Sequence, residues 1–183
     1  MPDNIIVVRE NNEALEFSPS SLYAYCGPKQ IIASALIFRL FERAFAELSP
    51  ERPPDRDDIR FLAGFPGTGI AECVELVTRI KTRRPERFSV NPDAAPPEAP
   101  RTVSGAMYFE VQIKGRRKGY WPPGELFDDV FRRNVGLYQN GGGSAKEQEE
   151  YLTYKKRLSA AILAAPPEGF FSSRDAAGDP TLR

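Results

Sequence analysis

The segment of residues 31–38 constrains the fold more than any other part of this chain. Its sequence, IIASALIF, leaves a helix almost no polar side to turn toward water. A helix that is apolar nearly all round is buried on several sides, so other elements have to surround it. We expect this helix to begin at Pro28 and to reach about Leu48, with a polar face only in its second half.

Other helices are marked by capping residues and by apolar spacing. Ser18 can cap free N–H groups and Pro19 suits the first helical position, so a short helix is expected to begin there. The Gly27-Pro28 pair has to break or kink it. Helical spacing also predicts helices over residues 70–84, 124–134 and 144–164. The side chains expected to face inward are Leu126, Phe127 and Val130 in the second of these and Tyr151, Tyr154, Leu158 and Ile162 in the third.

The clearest strand covers residues 107–113, where apolar and polar side chains alternate strictly. The pattern places Met107, Phe109, Val111 and Ile113 on a buried face, and Tyr108 and Glu110 on a face exposed to water. The strand-like composition of two further segments, residues 4–9 and 58–64, predicts two more strands. We therefore expect one α+β domain over residues 1–164, with a mixed or antiparallel sheet and packed helices. Residues 165–183 hold few apolar residues and predict a flexible tail.

Charge and cysteine content narrow the class of protein. The 25 Lys and Arg balance the 25 Asp and Glu, so no net field attracts nucleic acid or an anionic membrane. Residues 1–10 lack the pattern of a signal peptide, and no segment approaches the ~20 apolar residues that span a bilayer. Two cysteines in a chain of this size are typical of free thiols in a reducing compartment. We expect a cytoplasmic protein without a nucleic-acid or membrane partner.

The chain contains no histidine, which restricts the chemistry that its own side chains can perform. Ser–His–Asp triads, Cys–His dyads and zinc sites with imidazole ligands are excluded. A catalyst built on this chain has to use a carboxylate, thiol, lysine, tyrosine or bound cofactor. The sequence identifies no cofactor, and we expect no stoichiometric zinc or iron.

The two cysteines are open to two interpretations. Cys26 lies just before the Gly27-Pro28 kink, and Cys73 falls in the first turns of the next long helix, where the dipole favours a thiolate. Glu75 follows Cys73 closely and supplies a carboxylate. Both thiols can simply be small buried hydrophobes, or they can form a redox pair or a metal site. Their spacing in sequence does not decide between these alternatives.

Gly67, Thr68 and Gly69 separate a predicted strand from a predicted helix. Backbone N–H groups at such a helix start can bind an anion. The spacing matches neither the phosphate-loop motif nor the dinucleotide fingerprint, and a tight turn is the simpler interpretation. Arg79 belongs to a basic cluster farther along the helix, which is either a solvated surface or a site for the acidic tail of a cofactor or for RNA.

The stretch from Leu15 through Cys26-Gly27-Pro28, followed by a helix of small residues, resembles the formylmethanofuran dehydrogenase E-like family. That family has a His-Gly-His-x-Cys-Pro segment that opens a buried helix, and a later helix that starts with Cys-x-Asp. Tyr23-Ala24-Tyr25 looks like the first motif and Cys73-Val74-Glu75 looks like the second. The resemblance spans residues 15–134 and implies the family's fold with an altered site, because tyrosine replaces both imidazole ligands.

The resemblance implies a non-catalytic or cofactor-binding protein of one-carbon or molybdenum-enzyme metabolism. Its pocket for an anionic small molecule would lie between two helix starts that carry Cys26 and Cys73. The residues expected to bind the ligand are Tyr23, Tyr25, Cys26, Gly67, Thr68, Gly69, Cys73, Glu75 and Arg79. Two alternatives remain open. One is an enzyme that uses Cys26, Cys73 and Glu75. The other is an assembly component of a larger complex, because the apolar faces of residues 31–38 and of the last helix predict a homo-oligomer or a protein partner.

Overall fold

The computed structural model describes residues 4–176. It contains a five-stranded sheet in the order β4-β3-β7-β8-β9, in which β3 and β4 are parallel and every other pair is antiparallel. Two small hairpins, β1-β2 and β5-β6, lie outside this sheet. The strands are β1 (Ile6–Glu10), β2 (Glu13–Phe17), β3 (Ile59–Ala63), β4 (Phe88–Val90), β5 (Arg101–Thr102), β6 (Gly105–Ala106), β7 (Phe109–Ile113), β8 (Arg116–Trp121) and β9 (Ser172–Asp175). The predicted α+β class with a mixed sheet is confirmed.

Several of the helices pack around one central helix. They are α1 (Pro19–Cys26), α2 (Ile31–Leu48), α3 (Thr68–Thr78), α4 (Ile80–Arg83), α5 (Asp129–Tyr138), α6 (Ala145–Ala164) and α7 (Pro167–Phe170). The central helix is α2, which contacts α1, α3, α6, α7 and the sheet strands β7 and β8. Residues 34–38 of its apolar run are buried as predicted, and burial continues to Phe41, whereas residues 31–33 are only partly buried. Within the described residues, no helix combines the length and the apolar character needed to cross a membrane.

The two apolar faces from which an oligomer was predicted meet inside one chain. Helix α6 packs along α2 and buries Tyr151, Leu158 and Ile162. These contacts cover surface that the sequence left without a partner, so the apolar faces no longer give a reason to expect a second chain. Homo-oligomerisation and a protein partner stay predictions.

The sheet corrects the prediction that β7 exposes one face to water. Phe109, Val111 and Ile113 are buried in the main core as expected, but Tyr108 and Glu110 on the other face are buried too. Gly119 on the neighbouring strand makes this possible, since a Cβ there would lie 2.1 Å from Tyr108 Oη. The missing side chain opens a slot for the Tyr108 ring. Alternation along a strand shows which face is polar, but it does not show whether other parts of the chain cover that face.

The predicted helix over residues 70–84 is interrupted at Arg79, which adopts a left-handed conformation with φ of 57°. Glu75 stabilises the start of α4, because its carboxylate accepts hydrogen bonds from Lys81 N at 2.7 Å and from Thr82 Oγ1 at 2.5 Å.

The inward face predicted for the helix at 124–134 is partly wrong. Val130 is 46% exposed, and Phe131 is buried instead.

The domain boundary drawn at residue 164 is also wrong for residues 165–175. Strand β9 pairs with β8 at the edge of the sheet, and α7 leads into it. Phe170 and Phe171 are buried, and the Phe171 ring meets the Tyr120 ring edge-on at 6.4 Å. The two buried rings and the pairing with β8 hold this segment on the domain. Residues 177–183 of the predicted tail lie outside the described part of the chain.

Candidate functional site

A cleft with a volume of about 640 Å³ lies where four helices converge. One wall is formed by the chain from Cys26 into α2, and a second by the turn that leads into α3. Helices α5 and α6 also line the cleft, and the hairpin of β5 and β6 adds Thr102, Val103 and Ser104. The size is that of a typical site for a small organic molecule.

The turn into α3 brings backbone atoms to the wall of the cleft. Gly67, Thr68 and Gly69 all line it, and Gly67 is the N-cap residue of α3. Among the described residues no side chain caps this helix start, so its first N–H groups stay available to solvent or to a ligand. Gly69 also lets α2 come close, since a Cβ there would lie 2.3 Å from Gln30 Oε1 and 3.0 Å from Ala33 Cβ.

The floor of the cleft is apolar and its rim is polar. The apolar lining includes Ile32, Leu36, Phe65, Ile70, Met107 and Phe131. Polar groups with neutral side chains include Gln30, Thr68, Thr102, Ser104, Gln139 and Asn140. Such a lining suits a ligand with a hydrophobic body and a few polar groups that set its orientation.

Three cations and one carboxylate line the cleft in the described part of the chain, so its charge is net positive. Lys29, Arg132 and Lys155 carry the positive charges and Glu72 the negative one. The Arg132 guanidinium already pairs with Asp129 and donates to the Phe127 carbonyl oxygen at 3.1 Å. Lys29 is exposed to solvent. Lys155 is therefore the cation whose environment is unusual.

Lys155 is a buried residue, with only 6% of its surface exposed, and it lines the cleft. It donates to the Lys29 carbonyl oxygen at 3.3 Å and lies 4.6 Å from the centroid of the Tyr151 ring. No carboxylate of residues 4–176 forms an ion pair with it. Burial lowers the pKa of Lys155, and the nearby charge of Lys29 lowers this pKa further. The cleft thus holds a desolvated cation that has no anionic partner within the described chain.

The two cysteines meet at the edge of the cleft. Cys26 is the last residue of α1 and Cys73 lies in the second turn of α3, and their Sγ atoms are 2.9 Å apart. Cys26 is partly exposed and lines the cleft, whereas Cys73 is fully buried behind it. Ser34 Oγ lies 3.7 Å from Cys73 Sγ on the side of α2.

The environments of the two thiols differ in a way that separates their chemistry. The hydrogen bond from Cys73 lowers the pKa of the Cys26 thiol, and Ser34 adds to this effect against the opposing cost of burial. The same hydrogen bond and burial raise the pKa of Cys73 strongly. Cys26 is therefore the thiol that ionises first, and a thiolate rather than a thiol is the nucleophile.

Of the nine residues predicted to bind a ligand, four line the cleft and a fifth contacts one of these four. Cys26, Gly67, Thr68 and Gly69 line it, and Cys73 is in contact with Cys26. One part of that prediction was wrong, because Cys26 ends a helix instead of starting one.

The other four predicted residues lie outside the cleft. Tyr23 and Tyr25 are 39% and 52% exposed on α1 and do not line it. Glu75 is occupied by the backbone of α4, and Arg79 lies 3.6 Å from the Glu75 carboxylate. These residues lie on or next to helices that line the cleft, but they do not line it themselves.

Sequence reasoning missed the contributions of α5 and α6, and above all Lys155. One signal was present: Tyr151, Lys155, Leu158 and Ile162 recur at helical spacing on one face. A lysine on a stripe that packs inward is a candidate buried cation. The predicted apolar face includes Tyr154 in place of Lys155. In the structure Tyr154 is less buried than Lys155.

Comparison of the sequence with models of protein families found no matching family, and comparison with curated proteins found no matching protein. The resemblance to the formylmethanofuran dehydrogenase E-like family therefore stays a prediction. Within residues 4–176, no three Cys, Asp or Glu side chains come together as a group that could hold a metal ion.

Proposed function

We propose that this protein binds a small organic anion in the cleft, with the negative group of the ligand at Lys155 and its apolar body against the floor. The observation that carries the proposal is the burial of Lys155, whose ammonium group has no carboxylate partner among the described residues. A carboxylate, sulfonate or phosphate group would supply that partner.

The energetic reason is the cost of burying a charge. A cation taken out of water loses hydration, and this loss is compensated only when an opposite charge or several hydrogen bonds replace the water. One carbonyl oxygen and one aromatic ring replace it only in part here. An anionic ligand would complete the compensation, and the uncapped start of α3 offers further N–H donors in the same cleft.

The family resemblance supports the same class of function. Cys26 and Lys29, which flank Gly27-Pro28, and the turn at Gly67–Gly69 line the same cleft, and the resemblance implies a pocket between these two segments. We therefore include among the candidate ligands an acidic cofactor of one-carbon or molybdenum-enzyme metabolism. The proposal does not require this identity, because it rests on the charge and the shape of the cleft.

The test is a binding measurement with 8-anilinonaphthalene-1-sulfonate, an aromatic anion whose fluorescence rises in apolar sites. We expect saturable binding that weakens about tenfold or more in Lys155→Met, since a charge-assisted hydrogen bond is worth ~1.5–3 kcal/mol. The matched control is Lys156→Met, at an exposed lysine on the same helix, which should bind like the unchanged protein.

A second probe separates charge from hydrophobicity. The uncharged N-phenyl-1-naphthylamine should bind equally well to the unchanged protein and to Lys155→Met. Equal weakening of both probes in Lys155→Met would mean that the substitution had only disturbed the apolar floor. Unchanged binding of the sulfonate in Lys155→Met would contradict the proposed function.

A further inference from the structure

We propose that Cys26 and Cys73 form a redox-active dithiol that reduces small disulfides entering the cleft, with Cys26 as the attacking thiol and Cys73 as the resolving thiol. A preference for disulfides that carry negative charge rests on the proposed function of the cleft. The reactivity of the dithiol does not rest on it, because the geometry of the two sulfur atoms carries it independently.

The first support is the distance between the sulfur atoms. Carbon atoms that pack only as apolar neighbours approach to ~3.5–4.0 Å. The Sγ atoms of Cys26 and Cys73 are 2.9 Å apart, within about 1 Å of the ~2.05 Å of a disulfide bond. Helices α1 and α3, which carry them, pack directly against each other. A bond between the two sulfurs therefore needs only a small movement.

The second support is the difference in access. Cys26 faces the cleft, so a dissolved disulfide can reach it, whereas Cys73 is shielded behind it and by α2. The hydrogen bond that Cys73 donates favours the thiolate of Cys26. Attack therefore starts at Cys26, and Cys73 is placed to react only with a sulfur already bound to Cys26. This division of roles is that of a dithiol with a nucleophilic and a resolving cysteine.

The two steps balance without any further reactant. In the first step the Cys26 thiolate attacks one sulfur of a disulfide RSSR, forms a Cys26–SR mixed disulfide and releases RS⁻. In the second step Cys73 loses its proton to solvent or to the released RS⁻ and attacks Cys26 Sγ. The Cys26–Cys73 bond forms and the second RS⁻ leaves. One RSSR is reduced to two thiols while the protein dithiol is oxidised to one disulfide.

The test uses the full chain, reduced and then mixed with oxidised glutathione, with the products identified by intact mass. The unchanged protein should lose two hydrogens and release two glutathione molecules per chain. Cys73→Ser, and Cys73→Ala as a second variant, should stop at a stable glutathione adduct on Cys26. Cys26→Ser should stay unmodified, because its remaining thiol is buried. Glutathione adducts on Cys73 in Cys26→Ser would overturn the proposal. So would a result in which the protein without substitutions stays reduced in oxidised glutathione.

One measurement needs no variant and so does not depend on how the variants fold. Limited alkylation of the reduced protein with iodoacetamide should label Cys26 several-fold faster than Cys73. Equal labelling of the two thiols would contradict the assigned roles.

The charge of the probe distinguishes this inference from the proposed function. Hydroxyethyl disulfide is neutral, whereas oxidised glutathione is anionic. The ratio of the rate with oxidised glutathione to the rate with hydroxyethyl disulfide should be lower in Lys155→Met than in the unchanged protein. The same ratio in both proteins would overturn anion binding and leave the dithiol intact. No reaction with either probe would overturn the dithiol, even where the sulfonate dye still binds at Lys155.

Discussion

Tyr108 Oη donates a hydrogen bond of 2.7 Å to Glu110 Oε1, on the face of β7 that the alternating sequence predicts to be exposed. Both residues are buried, and the Arg117 guanidinium pairs with the second oxygen of Glu110. The polar face of the strand thus holds a satisfied network of three side chains. Because the network is enclosed, removing one member should have a measurable cost.

Glu110→Ala should lower the free energy of unfolding by about 2–3 kcal/mol. The substitution removes a charge-assisted hydrogen bond and takes the acceptor from a buried tyrosine hydroxyl. Urea unfolding at neutral pH measures the change. The control is Glu125→Ala, at an exposed carboxylate, which should stay within about 0.5 kcal/mol of the unchanged protein. A loss for Glu110→Ala as small as that of the control would show that the network adds nothing to stability.

The same tyrosine predicts a loss of stability in alkaline solution. Burial, and secondarily the Glu110 carboxylate, raises the pKa of Tyr108 to about 12. The unfolded chain loses this proton near pH 10, so between about pH 10 and 12 the folded state binds more protons and stability falls as pH rises.

Urea unfolding over that range should show a shallower fall in Tyr108→Phe than in the unchanged protein. Other buried tyrosines contribute to the fall, since burial also raises the pKa of Tyr151 to about 12. Tyr23→Phe, at an exposed tyrosine, is the control. If the two phenylalanine variants followed the same pH curve, the buried hydroxyl of Tyr108 would not be the cause.

Lys155→Met should raise the free energy of unfolding at neutral pH while it weakens anion binding. Burial lowers the pKa of Lys155 in the folded protein. Below this lowered pKa the folded state has to keep a charge that the unfolded chain hydrates freely, and methionine removes that cost. Opposite changes in stability and binding are expected when a strained group serves a function.

Thermal and urea unfolding of Lys155→Met and Lys156→Met provide the comparison. Lys156 is exposed, so its substitution should leave stability nearly unchanged. A clear loss of stability in Lys155→Met would mean that its contacts with Tyr151 and the Lys29 carbonyl oxygen stabilise the fold more than burial of the charge destabilises it.

Two glycines that line the cleft should respond in opposite directions to alanine. In Gly69→Ala the new Cβ would press on Gln30 and Ala33, so we expect a loss of about 1–3 kcal/mol and weaker binding of the sulfonate dye. In Gly136→Ala the Cβ meets open space within α5, and helix propensity predicts a gain of about 0.4–1 kcal/mol.

Unfolding of both variants, combined with dye titration, checks this pair. Equal stability of Gly69→Ala and the unchanged protein would show that α2 and α3 can move apart without cost. In that case the wall of the cleft would be less rigid than the close approach of Gly69 to Gln30 indicates.

The sequence by itself determined the local elements. Ser18 caps α1 and Pro19 opens it as predicted, and the apolar run at 31–38 lies in the central helix α2. The alternation of β7 correctly placed Phe109, Val111 and Ile113 in the core. Capping, the apolar face of a helix and the apolar face of a strand depend on residues a few positions apart, so a single sequence contains the information for them.

Only the tertiary structure decided which of these elements share a site. Cys26 and Cys73 are 47 positions apart, and Lys155 reaches the Lys29 carbonyl oxygen across 126 positions. Glu75 lies two residues beyond Cys73 yet turns away to support α4. Contacts between distant segments depend on how helices pack around α2, and packing is set by the combined shape of many side chains. No local pattern contains that shape, so the sequence named both thiols but could not show that they touch.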